Sequence, residues 1–148
     1  MTRTPFHSRE SYPVWQSIDT RWSDNDMYGH VNNVVYYSWF DSVVNRWLIE
    51  AGLLTLQDDP LIGLVVQSSC RYASSLEYPQ TIEIGLATER VGNSSVTYRL
   101  GAFAKGEVQA AAEGQFTHVY VDAASRRPVT LPDDWRNALA RLAPREPA

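Results

Sequence analysis

The densest collection of groups able to do chemistry in this chain is Asp24-Asn25-Asp26-Met27-Tyr28-Gly29-His30-Val31-Asn32-Asn33. Two carboxylates and an imidazole stand just ahead of a long apolar stretch. Carboxylates and histidine can move protons. A helix starting near Asn33 would add free backbone amides and the positive end of its dipole, which together stabilise negative charge. Acyl transfer needs this combination: donors where a carbonyl oxygen becomes an oxyanion, and a carboxylate that activates or delivers the attacking group. Gly29 would let the backbone approach a substrate with no side chain in the way. The same residues also have a purely conformational reading, with Asp24 and Asp26 as turn formers, Gly29 as a turn glycine and Asn32 as a helix cap.

The elements that must position this segment are set by periodicity. From Tyr12 to Trp22, Tyr12, Val14, Ile18 and Trp22 alternate with Ser17, Asp19 and Arg21, which predicts a first strand with one buried face. Ser23 to Asn32 cannot bury much apolar surface and is predicted to be a loop, with Asn32 or Asn33 as the N-cap of a helix. Between Asn33 and Ala51, the residues Tyr37, Phe40, Val44, Trp47, Leu48 and Ala51 recur at helical spacing. Tyr36, Trp39 and Val43 widen the stripe, so the helix is expected to be covered around most of its circumference, and Gly52 stands where a left-handed cap is needed.

After a loop at Asp58, Asp59 and Pro60 the chain reads as strands: Ile62 to Tyr72, Thr81 to Val91, Ser95 to Ala104 and Val108 to Asp122. Ser74 to Pro79, Gly92-Asn93 and Lys105-Gly106-Glu107 punctuate them. Pro132 to Leu142 is predicted to be a short closing helix, with Asp133 and Asp134 against its N-terminal dipole. One strand, one long helix and four further strands make an α+β single domain over residues 1–148, an antiparallel sheet curled around one central helix.

Composition narrows the function classes. The 148 residues, 44% hydrophobic and 20% charged, are those of a globular protein, and no run approaches the roughly 18 apolar residues of a membrane span. A net charge of −4 without any Lys or Arg run argues against nucleic acid as a partner. Met1 to Glu10 lacks a signal peptide's apolar stretch, and the single Cys70 can form no intrachain disulfide, so a cytoplasmic setting is expected. His7, His30 and His118 have no metal-ligand spacing, and there is no phosphate-binding or dinucleotide glycine motif, so neither metal nor redox cofactor is expected. The absence of G-x-S-x-G argues against a serine-hydrolase thioesterase.

The stretch from Arg21 through Asp24, Asp26, Gly29, His30, Val31, Asn32 and Asn33 to Tyr36 resembles the D-x-D-x-x-G-H-V-N-N signature of hot-dog-fold acyl-CoA thioesterases of the 4-hydroxybenzoyl-CoA thioesterase type. Arg71-Tyr72, Tyr78-Pro79, Gly92-Asn93-Ser94-Ser95, Val121-Asp122 and Arg127-Pro128-Val129 support the likeness collectively, over about Tyr12 to Trp135. The resemblance implies hydrolysis of acyl-CoA thioesters, with coenzyme A as part of the substrate. It implies Asp26 as the catalytic carboxylate, acting as general base or nucleophile, and the backbone amide of Asn33 as the donor that polarises the thioester carbonyl. Asp24, Gly29, His30 and Asn32 would support the loop. Tyr28, Tyr36, Ser94, Ser95, Arg90 and Arg127 would contact substrate, with Arg126 a further cation for the coenzyme A phosphates. His30 is a general base only in a less favoured reading, and Tyr36 and Tyr37 read more simply as core. The family pairs into homo-oligomers, dimers or homotetramers, with the site at the subunit interface. Two rival functions remain: a hot-dog hydratase or dehydratase, and a non-catalytic acyl-CoA-binding protein.

Overall fold

Five antiparallel strands form one sheet, in the order β1 (Val14–Asp19), β3 (Thr81–Val91), β4 (Ser95–Ala104), β5 (Ala112–Asp122) and β2 (Leu61–Tyr72). The computed structural model describes residues 5–55 and 59–145, so the first four residues and Asp58 of the expected loop lie outside the described residues. A single long helix, α1 (Asn33–Glu50), packs on one face of the sheet, and a short one, α2 (Asp133–Leu139), closes the chain with a 3₁₀ turn at Ala140–Leu142.

Side-chain alternation assigns the faces. Ile82, Ile84, Leu86, Val96, Tyr98, Leu100 and Phe116 point at α1 and bury against Phe40, Val43, Val44, Trp47 and Leu48. At ~1.5–3 kcal/mol for each large apolar side chain removed from water, this layer is the main stabilising contribution. α1 ends as expected. Gly52 adopts φ 76°, and the amides of Gly52 and Leu53 bond back to Ile49 and Leu48.

Three expectations need correction. The first strand spans Val14–Asp19 and not Tyr12 to Trp22. A 3₁₀ turn at Arg9–Ser11 and Pro13 carry Tyr12 to the opposite face of the sheet, while Trp22 opens a second 3₁₀ turn and is exposed against Tyr78. The last strand begins at Ala112, because the turn after Ala104 runs on to Ala111, whose amide closes it on Ala102. The helix is covered on one side only. Val34, Ser38, Asp41, Ser42, Arg46 and Ile49 are exposed along the other.

The face away from α1 is held differently. Tyr12 lies flat on the backbone at Gly85 and Gly101, where an added Cβ would sit 2.5 Å from the Tyr12 ring and 2.8 Å from its hydroxyl. The segment from Phe6 to Tyr12 is clamped there by Glu113. This buried carboxylate accepts from the His7 amide (3.1 Å), Tyr12 Oη (3.2 Å) and Arg71 Nη2 (2.9 Å), and pairs with His7 Nδ1 at 2.7 Å. Arg99 stands 3.9 Å away and pairs with Glu89 at 2.6 Å. Burial pushes the Glu113 carboxyl up, but the bonds from His7 and Arg71 outweigh it and hold the group below its ordinary value of 4.5.

Glu113→Gln should therefore lower stability by about 2–3 kcal/mol in urea unfolding at neutral pH, because it leaves buried Arg99 undercompensated. A carboxylate with a depressed folded pKa contributes stability that is complete above its unfolded value and lost as pH falls through the lower folded value. The gap between the two proteins should accordingly close on acidification below about pH 4.5.

Candidate active site

The chemistry-bearing segment folds as a tight hairpin set against the start of α1. Asn25 bridges Val31, the amide of Asp26 donates to the His30 carbonyl at 2.8 Å, and that of Gly29 donates to the Asp26 carbonyl at 3.1 Å. Gly29 takes φ 81°, the left-handed region that side chains disfavour. Asp26 shapes the turn as well, since its Oδ1 accepts from the Tyr28 amide at 2.9 Å. Oδ2 of Asp26 has no partner among the described residues.

Two anchors tie the hairpin to the body. Asp24 is 1% exposed, and its carboxylate accepts from the amide, Nε and Nη2 of Arg21 at 2.7, 3.1 and 2.8 Å. Its carbonyl accepts from the Asn32 amide at 2.9 Å, and Val31 bonds to the Leu76 carbonyl at 2.8 Å. Asn32 is the N-cap, its Oδ1 accepting from the Val34 amide at 3.0 Å. The cap satisfies Val34 and the Asn32 carbonyl takes Val35, which leaves the exposed amide of Asn33 without an acceptor among the described residues. A free donor at the positive end of α1 and a carboxylate with one free oxygen thus share one short segment.

His30 contributes to the hairpin through its carbonyl, while its exposed ring makes no bond among the described residues. Tyr28 is exposed beside Met27. Tyr36 is core: it is 2% exposed, packed edge-on against Trp39 and Tyr72, and burial pushes its phenol up to about 12. Tyr72 donates to the Asn33 carbonyl at 3.3 Å and so ties the end of β2 to the start of α1.

The remaining sequence candidates are not brought together with these in one chain. Asp19, Thr81, Ala104, Ala112 and Tyr72 mark the hairpin end of the sheet, and Arg90, Ser94, Ser95 and Arg127 cluster at the other. The eleven residues of β3 separate the two ends by roughly 35 Å. There the Ser94 carbonyl accepts from the Tyr120 amide, Ser95 closes the β3–β4 turn on Gly92, and Arg90, Arg126 and Arg127 are exposed.

The Thioesterase-like superfamily matches residues 20–139, the hairpin, α1 and all strands after it. The chain belongs to this superfamily, and its fold is the hot-dog fold. Among solved structures it is similar to the PA5185 protein of Pseudomonas aeruginosa, at 52% identity and a TM-score of 0.89 over 93% of this chain and 96% of that one. The PA2801 protein of the same organism matches at 28% identity and a TM-score of 0.80, covering 86% and 98%. An uncharacterised Bacillus subtilis protein, YsmA, is 26% identical over 91% of both chains. No described helix of this superfamily member is long and apolar enough to cross a membrane.

One group that spacing alone passed over is His118. Dismissed as a metal ligand, it shares the helix-facing side of β5 with Phe116 and Tyr120, a placement that counting in twos along the strand would have shown.

Gly29→Ala meets no neighbour within 4 Å of its new Cβ, so its effect isolates backbone strain. It should cost about 1–2 kcal/mol in thermal unfolding. Asn32→Ala should cost about 1 kcal/mol through the lost cap.

Proposed function

We propose that the protein hydrolyses acyl-CoA thioesters, with Asp26 as the carboxylate and the Asn33 amide as the oxyanion donor. The observation that carries the reading is that the amide of Asn33 at the helix start and Oδ2 of Asp26, on the hairpin leading into that helix, both lack a partner among the described residues. Superfamily membership supplies the reaction class. In the general-base route, Asp26 takes a proton from water as the oxygen adds to the thioester carbonyl, and the Asn33 N–H and the α1 dipole stabilise the oxyanion. Collapse expels coenzyme A thiolate, which takes up a proton, and leaves the free acid. In the nucleophilic route, Asp26 adds to the carbonyl directly and thiolate leaves from a mixed anhydride, which water opens. Both routes use the same two groups.

The substrate's coenzyme A end calls for a second copy of the chain. β2 is a twelve-residue edge strand whose Leu64, Val65 and Val66 are exposed, the last by 60%. A long apolar edge of this kind is a template for another strand. Two identical edges related by a twofold axis pair antiparallel, so the Leu61 end of one β2 lies against the Tyr72 end of the other. Arg90, Ser94, Ser95 and Arg127 of one copy are then carried toward the Asp26 hairpin of its mate, where the arginines meet phosphates through charge-assisted bonds. A homodimer is the smallest assembly that completes this site.

Free-thiol release from short, medium and long fatty acyl-CoAs and aryl-CoAs tests the reaction. Asp26→Asn should keep the fold and lose nearly all of kcat. Asn33→Ala, which keeps the backbone donor, should lose far less than the ~10²–10³-fold typical of a deleted oxyanion donor. Saturable binding of the esters without thiol release by wild type would make the protein a binder. Val66→Lys should shift sedimentation from dimer to monomer and raise KM for coenzyme A esters.

A further inference from the structure

The residue that carries the oxyanion donor is gripped from two directions. On the hairpin side, the Asn32 amide donates to the Asp24 carbonyl at 2.9 Å and the Val31 amide to the Leu76 carbonyl at 2.8 Å. On the sheet side, the Tyr72 hydroxyl donates to the Asn33 carbonyl at 3.3 Å, joining groups 39 residues apart in the chain. The helical ladder occupies one lone pair of that carbonyl, and the second is available to the phenol.

Tyr72 is itself firmly seated. It pairs with Ala112 in the β2–β5 ladder, and the next amide, that of Ala73, donates to the Ala111 carbonyl at 2.8 Å. On the other face of the strand, Arg71 donates to the buried Glu113 at 2.9 Å. The Tyr72 ring stands edge-on to the buried Tyr36, with centroids 5.1 Å apart, and only two torsions link a phenol ring to its backbone. Phenylalanine would serve this packing equally, so the hydroxyl is what distinguishes the residue.

Cys70, two residues back on the same face, hydrogen-bonds the phenol. Because a carbonyl only accepts, the Tyr72 proton goes to Asn33 and the Cys70 thiol donates to the phenol oxygen. Burial pushes the phenol and the thiol up, so both keep their protons at neutral pH.

We propose that Tyr72 is a positioning residue for the reaction, its hydroxyl fixing the first residue of α1 against β2 and so setting where the Asn33 amide points. This rests on the thioesterase reading and deepens it by naming a group that keeps the donor in place. The carbonyl that Tyr72 holds and the amide that meets the oxyanion lie in neighbouring peptide planes, so the effect is one of position and not of polarisation. Position matters because an oxyanion donor acts through preorganisation, and a misplacement of ~1 Å can cost ~10²-fold in rate. The tether also runs to β2, the strand through which the proposed dimer pairs, so the donor keeps its distance from that edge.

The test compares wild type with Tyr72→Phe, which keeps the ring and removes the hydroxyl. The midpoint of thermal unfolding should move by no more than about 4 °C. Turnover of the acyl-CoA that wild type prefers should lose about tenfold in kcat, short of the ~10²–10³-fold of a deleted donor, with KM within about twofold. The loss should be the same factor across the neutral and mildly alkaline range, since no proton moves to or from Tyr72. A second readout needs no turnover: the isotope-labelled Asn33 amide resonance of the ligand-free protein should move or broaden in the variant. The downfield shift that a non-hydrolysable 2-oxoalkyl-CoA analogue induces in that resonance should shrink as well. A kcat within about twofold of wild type, a rise in KM that accounts for the whole loss, or an Asn33 resonance unmoved by the substitution overturns the proposal. If wild type releases no thiol, the hydrolase reading fails by itself, and the ligand-free Asn33 resonance still decides whether Tyr72 holds that residue.

Discussion

The first amides of a helix cannot be satisfied inside it, and the segment from Arg21 to Asn32 is organised around that constraint. Asn32 takes the Val34 amide with its side chain and the Val35 amide with its carbonyl, which leaves Asn33 pointing outward. For the cap to hold its place, Asn32 must itself be fixed, and the buried Asp24 does this through its carbonyl while Arg21 satisfies its carboxylate. The left-handed turn at Gly29 then folds the hairpin back so that the Asp26 backbone pairs with His30. A donor and an acceptor of opposite polarity end up on one short piece of chain, held by backbone bonds and not by the flexible ends of long side chains. That rigidity is what preorganised electrostatic catalysis requires.

The two faces of the sheet are stabilised by different physics. Against α1 the contacts are mostly apolar; among the polar ones, Gln16 donates to the Val43 carbonyl, Tyr72 to the Asn33 carbonyl, and Tyr98, Tyr120 and His118 bond one another. On the other face, Glu113, Arg71 and Arg99 form a charged cluster that also bonds His7 and is roofed by Phe6 to Tyr12, with Arg9 over the Trp15 and Phe103 rings. The buried carboxylate is tolerable there because donors from several directions replace its water. The hydrophobic layer fixes the helix on the sheet, and the ionic one fixes the strap.

An edge strand explains why a site built so firmly is still open. β2 exposes both its backbone edge and its apolar side chains, and the residues that the proposed function assigns to the coenzyme A end of a substrate stand at the far end of the same sheet from the hairpin. In the dimer proposed above, pairing through β2 would remove both features at once, because antiparallel pairing exchanges the ends of the sheet. The superfamily assignment and the 52% identity with the PA5185 protein set this geometry within a known fold.

Local regularities were legible in the amino-acid sequence because they depend on neighbours in the chain. The bounds of β3 and β4 come from alternation and turn residues, α1 from its apolar stripe and Gly52, and the hairpin loop from its Asp, Asn and Gly content. The sequence by itself also determined which groups stand at the start of α1, since cap and amide lie one residue apart. What it left open were distances between residues far apart in the chain. Alternation placed Tyr12 with Val14 and Ile18, but two glycines on strands more than 70 residues away supply the flat backbone that draws its ring to the other face. Tyr36 could have lined a pocket or the core, and the rings of Trp39 and Tyr72 decided for the core. Ser94 and Arg127 are substrate contacts by resemblance, and the run of β3 holds them at the end of the sheet opposite Asp26. His118 carried no local signal of its own, and only strand pairing and the cover of α1 isolated its Nε2. Periodicity is written in adjacent residues, whereas burial and the satisfaction of polar groups are properties of the packed chain, and tertiary structure alone decides them.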